Sequence, residues 1–308
     1  MMIRDWRPAL VCILWLSGCA SLTELPAPPV EVKPPVPVVV APPPAVKRPP
    51  ARIGLALGGG AAKGFAHIGV IKALEAQGIV PEIVVGTSAG SAVGAMYAAG
   101  RTGFELQELA MQLDKSQLSD WSLFDRGLVK GEALQNFINK AVGNRPIEKL
   151  GKIFGAVATD VNSGEPILFR IGNTGMAVRA SSSVPGLFQP VPINGREYVD
   201  GGLVSPVPVR FARALGADIV IAVDISDKPK QGKTDGMISL LLQTFTIMGH
   251  ALGNQETQAA DFVIRPVIVD LSATTFETRH QAVLEGEKAA AIVMPEIRAR
   301  LARWIDGA

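Results

Sequence analysis

Ser88 lies in the pentapeptide Gly86-Thr87-Ser88-Ala89-Gly90, which has the pattern G-x-S-x-G. The apolar run 83–85 precedes this pentapeptide, and the small-residue stretch 91–99 follows it. The pattern predicts a buried strand that turns sharply into a helix, with the serine at the corner. Because glycine tolerates the strained turn of such an elbow, Ser88 is a candidate nucleophile. A glycine-rich turn with an incidental serine is the alternative on this motif alone.

A second glycine-rich stretch, Gly58-Gly59-Gly60-Ala61-Ala62-Lys63-Gly64, follows the predicted strand 53–57 and precedes the predicted helix 65–77. Such a loop could hold a phosphate, but it matches neither G-x-G-x-x-G nor a Walker loop, in which Ser or Thr follows the lysine. The other use of such a loop is an oxyanion hole, where backbone N–H groups stabilise a tetrahedral intermediate.

A reactive serine also needs a base, and the chain contains only three histidines. His250 and His280 fall in predicted helices, and we expect His67 to pack or form a hydrogen bond at the start of the helix after the glycine loop. Asp200-Gly201-Gly202, at the end of a short strand, offers the better candidate, Asp200. With an ordinary pKa of about 4, this carboxylate must touch the serine directly in a water-poor site. A turn-forming Asp-Gly is the alternative.

The alternation of predicted elements indicates a layered α/β domain with parallel strands and right-handed helical crossovers. Further strands are predicted at 153–159, 166–169, 198–200, 217–223 and 262–269, and further helices at 104–113, 131–141, 176–182, 207–215, 237–252 and 278–304. We expect the corners 58–64, 86–90 and 200–202 to meet at the carboxyl edge of parallel strands. The apolar helix 237–252 fits either core packing or a face that contacts lipid or a second copy.

The N-terminal region has the features of a secretion signal. Arg4 and Arg7 precede the apolar run 9–16, and Leu16-Ser17-Gly18-Cys19 resembles a bacterial lipobox, which is cleaved before a lipid-modified cysteine. The sequence therefore predicts a lipoprotein signal peptide over 1–18 and lipidation of Cys19. An ordinary signal peptide or a short membrane anchor is the alternative, although the run is shorter than the about 20 residues that span a bilayer.

Composition separates a tether from the domain. Eleven of the 23 prolines lie in residues 22–50, so 19–50 is predicted to be a polyproline-type tether rather than a folded unit, with 51–308 as the domain. A proline-rich recognition ligand is the alternative. Apart from Cys19, only Cys12 in the signal carries a thiol, which excludes a disulfide or cysteine nucleophile from the domain. The net charge of +2 argues against a nucleic-acid partner.

The three corners together resemble the patatin-like phospholipases, which are lipid acyl hydrolases with a Ser–Asp dyad. The resemblance extends over residues 52–225, is closest to the bacterial and neuropathy-target-esterase branch, and includes 180–188 as a segment that lines the site. It implies a three-layer α/β/α patatin-like fold with a mainly parallel central sheet. No metal or cofactor is implied.

The resemblance also implies roles for individual residues. Ser88 would be the nucleophile and Asp200 its base, and the backbone amides of Gly59, Gly60 and Ala61 would form the oxyanion hole. The surrounding motif residues are Gly58, Lys63, Gly64, Gly86, Gly90, Gly201 and Gly202. Two departures stand out, because the family usually has arginine at Lys63 and often glycine at Ala61. We expect lysine to anchor the loop less firmly than arginine, and alanine to impose an ordinary backbone angle.

These observations predict a lipid-anchored protein of the bacterial cell envelope, at the outer membrane and facing the periplasm. Its expected substrate is a membrane phospholipid or lysophospholipid, whose fatty-acyl ester it hydrolyses through a Ser88 acyl-enzyme. A non-catalytic lipid-binding or envelope-assembly lipoprotein on a degenerate patatin-like fold is the alternative, and acyl transfer to an acceptor other than water is a third possibility.

Overall fold

The computed structural model describes residues 48–113, 130–229, 236–268 and 278–307. The predicted signal peptide, Cys19 and most of the predicted tether lie outside the described residues. The last three tether residues are described, and two of them contact the C-terminal helix: the Trp304 indole N–H donates a hydrogen bond to the Pro49 carbonyl (3.0 Å), and the Arg48 N–H donates one to the Ile305 carbonyl (3.2 Å).

Within the described residues, eight strands form a single mixed sheet, in the order β5-β6-β3-β2-β1-β7-β8 with β4 paired to β3 beside this path. The strands are β1 (Ile53–Leu57), β2 (Ile83–Thr87), β3 (Ile153–Asp160), β4 (Pro166–Phe169), β5 (Val191–Ile193), β6 (Arg196–Asp200), β7 (Ile219–Val223) and β8 (Phe262–Ile264). The pairs β3–β2, β2–β1, β1–β7 and β7–β8 are parallel, whereas β4–β3, β3–β6 and β6–β5 are antiparallel.

Helices cover both faces of the sheet. They are α1 (Phe65–Glu75), α2 (Ala89–Ala98), α3 (Gly103–Gln112), α4 (Glu132–Ala141), α5 (Thr174–Ser181), α6 (Val209–Ala214), α7 (Met237–Thr257) and α8 (Arg279–Ile305). Side chains of β1 alternate between the two faces, so Leu55 and Leu57 join the larger apolar cluster with α1, α2, α3, α4 and α8, whereas Ala56 joins a smaller cluster with α6. The predicted three-layer α/β/α fold with a mostly parallel sheet is confirmed.

The path of β6 differs from the expectation that all three corners follow parallel strands. β6 runs antiparallel to β3 and pairs with only its last three residues, Ala158, Thr159 and Asp160. Asp200 pairs with Ala158, while the preceding residue of β3, Val157, pairs with Thr87 of β2. Asp200 therefore reaches the serine corner because β6 overlaps only the end of β3, and not because β6 is a parallel strand that ends at the same edge.

Two other elements differ from the sequence prediction by five residues at one end. The predicted strand 262–269 ends at Ile264, and the predicted helix 237–252 continues to Thr257 as α7. The first half of α7 is not a core helix, because Met237, Leu240 and Ile247 are each half or more exposed. None of the described helices is both long and apolar enough to cross a bilayer.

Candidate active site

The β2–α2 corner places Ser88 in a strained conformation. Its φ and ψ are 53° and −122°, α2 begins at the next residue, and 8% of Ser88 is exposed. The flanking glycines permit this turn, because a Cβ on Gly86 would lie 2.3 Å from the Gly90 carbonyl oxygen, and one on Gly90 would lie 2.1 Å from the Leu57 carbonyl oxygen. Such strain persists only where the surrounding structure holds it, which is typical of an active-site residue.

Hydrogen bonds from several segments hold this corner in place. The Ser88 N–H donates to Ser181 Oγ (2.9 Å), whose hydroxyl donates to the Val157 carbonyl (2.6 Å). The Thr87 hydroxyl donates to the Ser205 carbonyl (2.7 Å). The segment 180–188 therefore contacts the elbow through Ser181, where the family resemblance places a site-lining segment.

Asp200 is held at the end of β6 and buried. Its Oδ1 accepts a hydrogen bond from the Gly202 N–H (2.7 Å), its own N–H donates to the Ser183 carbonyl (2.9 Å), and its carbonyl accepts from the Thr159 hydroxyl (2.8 Å). The other carboxylate oxygen, Oδ2, is buried without a hydrogen bond of standard geometry among the described residues. One carboxylate oxygen is thus left for a further partner.

Burial raises the pKa of Asp200 to about 6. The hydrogen bond from Gly202 and the nearby Ser88 hydroxyl oppose this rise, since both stabilise the charged form. A carboxylate with this pKa is ionised at neutral pH and accepts a proton more readily than an exposed aspartate. The structure therefore brings the two predicted dyad residues close enough for the Ser88 hydroxyl to stabilise the charged form of Asp200.

The glycine loop lies beside the nucleophile but differs from the prediction at Gly59. The Gly59 N–H donates to the Pro206 carbonyl (2.9 Å), so this N–H is not available to an oxyanion. In contrast, the N–H groups of Gly60 and Ala61 donate no hydrogen bond to any described residue. Gly59 instead serves as the close neighbour of the serine, since a Cβ there would come within 3.4 Å of Ser88 Cβ.

The expectation for Ala61 was also wrong, because its φ is +49° rather than an ordinary negative value. Alanine thus adopts the left-handed conformation that glycine adopts more easily, at the start of the 3₁₀ turn Ala61–Gly64. Lys63 in this turn is buried, and its ammonium group pairs with the Asp227 carboxylate on the loop after β7. At this position, where family members usually have arginine, the lysine thus contributes an ion pair to the anchoring of the loop.

His67 supports the loop and does not serve as the base. Its ring is fully buried, and Nε2 lies 2.8 Å from the Gly58 carbonyl, to which it donates its proton. Burial lowers the pKa of His67 to about 4, so the ring is neutral at physiological pH. His250 and His280 lie in α7 and α8, as the sequence predicted, and His250 Nε2 lies 3.2 Å from the Asn254 side-chain amide.

Sequence reasoning missed Glu256, near the end of α7. Its two carboxylate oxygens accept hydrogen bonds from the Ser205 hydroxyl (2.5 Å) and the Val207 N–H (3.0 Å). The same short segment, 205–207, also contacts the elbow and the glycine loop. The Ser205 carbonyl accepts a hydrogen bond from the Thr87 hydroxyl, and the Pro206 carbonyl accepts one from the Gly59 N–H. In the sequence, Glu256 is the first charged residue of α7 after nineteen uncharged ones, and only this position in the helix could have indicated a special role.

The described residues contain no group of three or more His, Cys, Asp or Glu side chains arranged to hold a metal ion. The chemistry available at the site is that of a strained serine, a buried carboxylate and two backbone N–H groups that donate to no described residue. This combination can form and hydrolyse an acyl-enzyme.

Comparison with known proteins places these residues in a family context. The patatin-like phospholipase family profile matches residues 55–213, slightly more than half of the chain. An uncharacterized NTE family protein of Mycobacterium tuberculosis is 37% identical over 178 residues, which are 57% of this chain and 49% of that protein. Patatin-like phospholipase domain-containing protein 6 of Homo sapiens is 35% identical over 191 residues, or 59% of this chain and 14% of that protein.

Lysophospholipase NTE1 of Coccidioides immitis is 36% identical over 194 residues, which are 60% of this chain and 12% of that protein. The chain thus spans about half the length of the mycobacterial relative. Among solved structures, VipD from Legionella pneumophila aligns with a TM-score of 0.47 at 13% identity, covering 81% of this chain and 68% of that one. The type III effector ExoU of Pseudomonas aeruginosa aligns with a TM-score of 0.44 at 17% identity, covering 81% and 54%.

Proposed function

The chain belongs to the patatin-like phospholipase family, and on that premise we propose that it hydrolyses fatty-acyl esters of membrane phospholipids or lysophospholipids. The observation that carries the proposal is the strained Ser88 beside the buried Asp200: the Ser88 hydroxyl lowers the pKa of Asp200, and Oδ2 of Asp200 forms no hydrogen bond with any described residue. The Asp200 side chain also caps the turn after β6 through the Gly202 N–H, but its buried, unpaired Oδ2 adds nothing to that turn and opposes folding.

In the first half of the reaction, Ser88 Oγ attacks the ester carbonyl carbon while Asp200 takes its proton. The carbonyl oxygen becomes negatively charged, and the unpaired N–H groups of Gly60 and Ala61 stabilise it. The tetrahedral intermediate then collapses, and the alcohol part of the lipid leaves with the proton held by Asp200. The product of this half is an acyl group on Ser88.

In the second half, Asp200 takes a proton from water, and the resulting hydroxide attacks the acyl-enzyme. The same N–H groups stabilise the second intermediate, which releases the fatty acid and returns the proton to Ser88. A pKa of about 6 suits Asp200 both to accept the proton and to return it, because the carboxylate is ionised at neutral pH and its pKa lies close to neutral pH.

The lipid class of the substrate is supported by the relatives. One is named a lysophospholipase and another a phospholipase domain-containing protein. The lipobox-like tetrad ending at Cys19 adds a lipid anchor, and the proline-rich tether lets the domain reach a membrane surface from it. We place the protein at the outer membrane, facing the periplasm.

Two measurements test the proposal. A fluorophosphonate probe should label the wild type and the exposed-serine control Ser163→Ala, but not Ser88→Ala. Incubation with a bacterial phospholipid extract should release fatty acids and lysolipids, and mass analysis of the products with added alcohols detects transfer to acceptors other than water. An unlabelled wild type that leaves the extract unchanged would instead support the non-catalytic lipid-binding alternative.

A further inference from the structure

The glycine loop packs against the end of β7 and the residues that follow it, 223–227. The Gly58 N–H donates a hydrogen bond to the Val223 carbonyl (2.9 Å). Two residues further along each segment, a Cβ on Gly60 would come within 2.8 Å of both the side chain and the carbonyl oxygen of Ile225. The two segments therefore run side by side, and the loop that carries the candidate oxyanion N–H groups follows the path of residues 223–227.

The third contact between these segments is the ion pair of Lys63 with Asp227. The Lys63 side chain is only 10% exposed, whereas the Asp227 side chain is 36% exposed. A buried ammonium group without a partner opposes folding. If the carboxylate were absent, Lys63 would therefore gain free energy by moving toward solvent. Asp227 is the residue that keeps the lysine, and with it the end of the loop, in the buried position.

The segment that carries Asp227 is itself held in place. The Asp224 N–H donates to the Ile264 carbonyl of β8 (3.0 Å), and the Asp224 carboxylate accepts from the Ser226 N–H (3.0 Å) and hydroxyl (2.7 Å). Arg265 Nε also donates to this carboxylate (3.2 Å). Asp227 follows directly after this turn, so its carboxylate extends from backbone that β7 and β8 fix.

The strained part of the loop lies between its contacts with Ile225 and Asp227. Ala61 has a φ of +49°, a conformation that alanine keeps only where its surroundings hold it. Lys63 ends the same turn, in which its N–H donates to the Gly60 carbonyl (3.1 Å). A movement of Lys63 toward solvent would therefore pull on this turn and redirect the N–H groups of Gly60 and Ala61.

We propose that Asp227 is a positioning residue of the oxyanion hole, because its ion pair with Lys63 keeps Ala61 in the left-handed conformation and directs the Gly60 and Ala61 N–H groups at the substrate carbonyl. The inference rests on the proposed acyl hydrolysis. Asp227 acts through Lys63 and not on the ester itself. Since an oxyanion hole binds charge that develops only in the transition state, loss of this support should lower kcat and leave KM unchanged.

The test compares Asp227→Asn with Glu287→Gln, which breaks a matched ion pair. Lys72 on α1 and Glu287 on α8 form that pair, with side chains 14% and 34% exposed. Both substitutions should lower the unfolding temperature by similar amounts. Asp227→Asn should also lower kcat for a butanoyl ester at least about tenfold without changing KM, whereas Glu287→Gln should leave kcat unchanged.

A trifluoromethyl ketone with a short alkyl chain examines the oxyanion hole separately. Ser88 Oγ adds to the carbonyl carbon of the ketone, the serine proton passes to Asp200, and the carbonyl oxygen becomes an oxyanion, as in the first step of ester hydrolysis. Asp227→Asn should therefore weaken inhibition by the ketone by the same factor by which it lowers kcat/KM. A loss of kcat without a loss of ketone affinity would overturn the proposal.

The double variant Lys63→Met/Asp227→Asn separates positioning from folding, and it carries the test if Asp227→Asn alone does not melt cooperatively. With neither charge present, it should unfold at a higher temperature than Asp227→Asn, but its kcat should stay low. Recovery of kcat together with stability would overturn the proposal, as would a wild-type kcat in Asp227→Asn or an equal loss in Glu287→Gln. Failure of the proposed function would look different, because the wild type would then hydrolyse no ester and bind the ketone no more tightly than Ser88→Ala does.

Discussion

The two halves of the dyad are positioned by different means. Ser88 is held by backbone geometry, in a left-handed turn that Gly86 and Gly90 permit and that hydrogen bonds from other segments secure. Asp200 has ordinary backbone angles, and its environment is what sets it apart, since burial raises its pKa to about 6. Backbone geometry positions the nucleophile, whereas burial sets the pKa of the base. Substitutions at the two corners should therefore change activity and stability in different ways.

The largest effect is expected from Asp200→Asn, which should lower activity and raise stability. Loss of the base should lower hydrolysis about a thousandfold or more, comparable with loss of the base in other serine hydrolases. The same substitution should stabilise the fold at high pH. Because the folded pKa is raised, the ionised carboxylate destabilises the folded state above pH 6, by about 3 kcal/mol for two pKa units.

Thermal unfolding at two pH values measures this second effect. At pH 8, Asp200→Asn should unfold at a higher temperature than the wild type, and near pH 4 the difference should shrink, since the wild-type carboxyl is then neutral. The exposed Asp306→Asn is the control and should change neither activity nor stability. A variant less stable than the wild type at pH 8 would contradict the account of burial.

Gly90→Ala, at the serine corner, should instead destabilise the fold. The added Cβ would lie 2.1 Å from the backbone oxygen of Leu57, which cannot move away as a flexible side chain could. We expect a loss of about 3 kcal/mol or more in the free energy of unfolding, at every pH. Gly249→Ala in α7 is the control, because its nearest contact would be 3.9 Å, and its stability should be unchanged or higher.

A smaller effect is expected from Glu256→Gln, which acts on both corners from a distance. The amide cannot accept hydrogen bonds at both ends, so either Ser205 or Val207 loses its partner. The segment that positions Thr87 and Gly59 should loosen, lowering kcat about tenfold with little change in KM. The control is Glu285→Gln on α8. Equal kcat values in Glu256→Gln and wild type would show that α7 has no part in positioning the site.

Much of the fold was predictable because its signals are local. The apolar strand β7, the glycine at the end of α1 and the G-x-S-x-G corner each specify their own conformation over a few residues. The Gly59 N–H, in contrast, is engaged by Pro206, far along the chain, and nothing near Gly59 indicates that partner. Ala61 has a positive φ that its type disfavours, so packing overrides the local preference.

The same reasoning explains why the dyad was easier to predict than its supports. Asp200 is marked by the two glycines that follow it, although its strand proved antiparallel. Glu256 carries no such mark, because its role depends on the tertiary contact between α7 and the segment after β6. Residues that act through distant backbone groups require the structure.

The pH dependence of hydrolysis tests most directly whether Asp200 is the base. For a soluble butanoyl ester, kcat/KM reports the pKa of the base in the free enzyme. It should rise with pH, reach half its maximum near pH 6 and stay level through pH 8, as expected for a carboxylate whose pKa burial has raised. The residual activity of Asp200→Asn should show no such rise. The account would be contradicted if kcat/KM of the wild type did not change between pH 4 and pH 8, or if a midpoint near pH 6 persisted in Asp200→Asn.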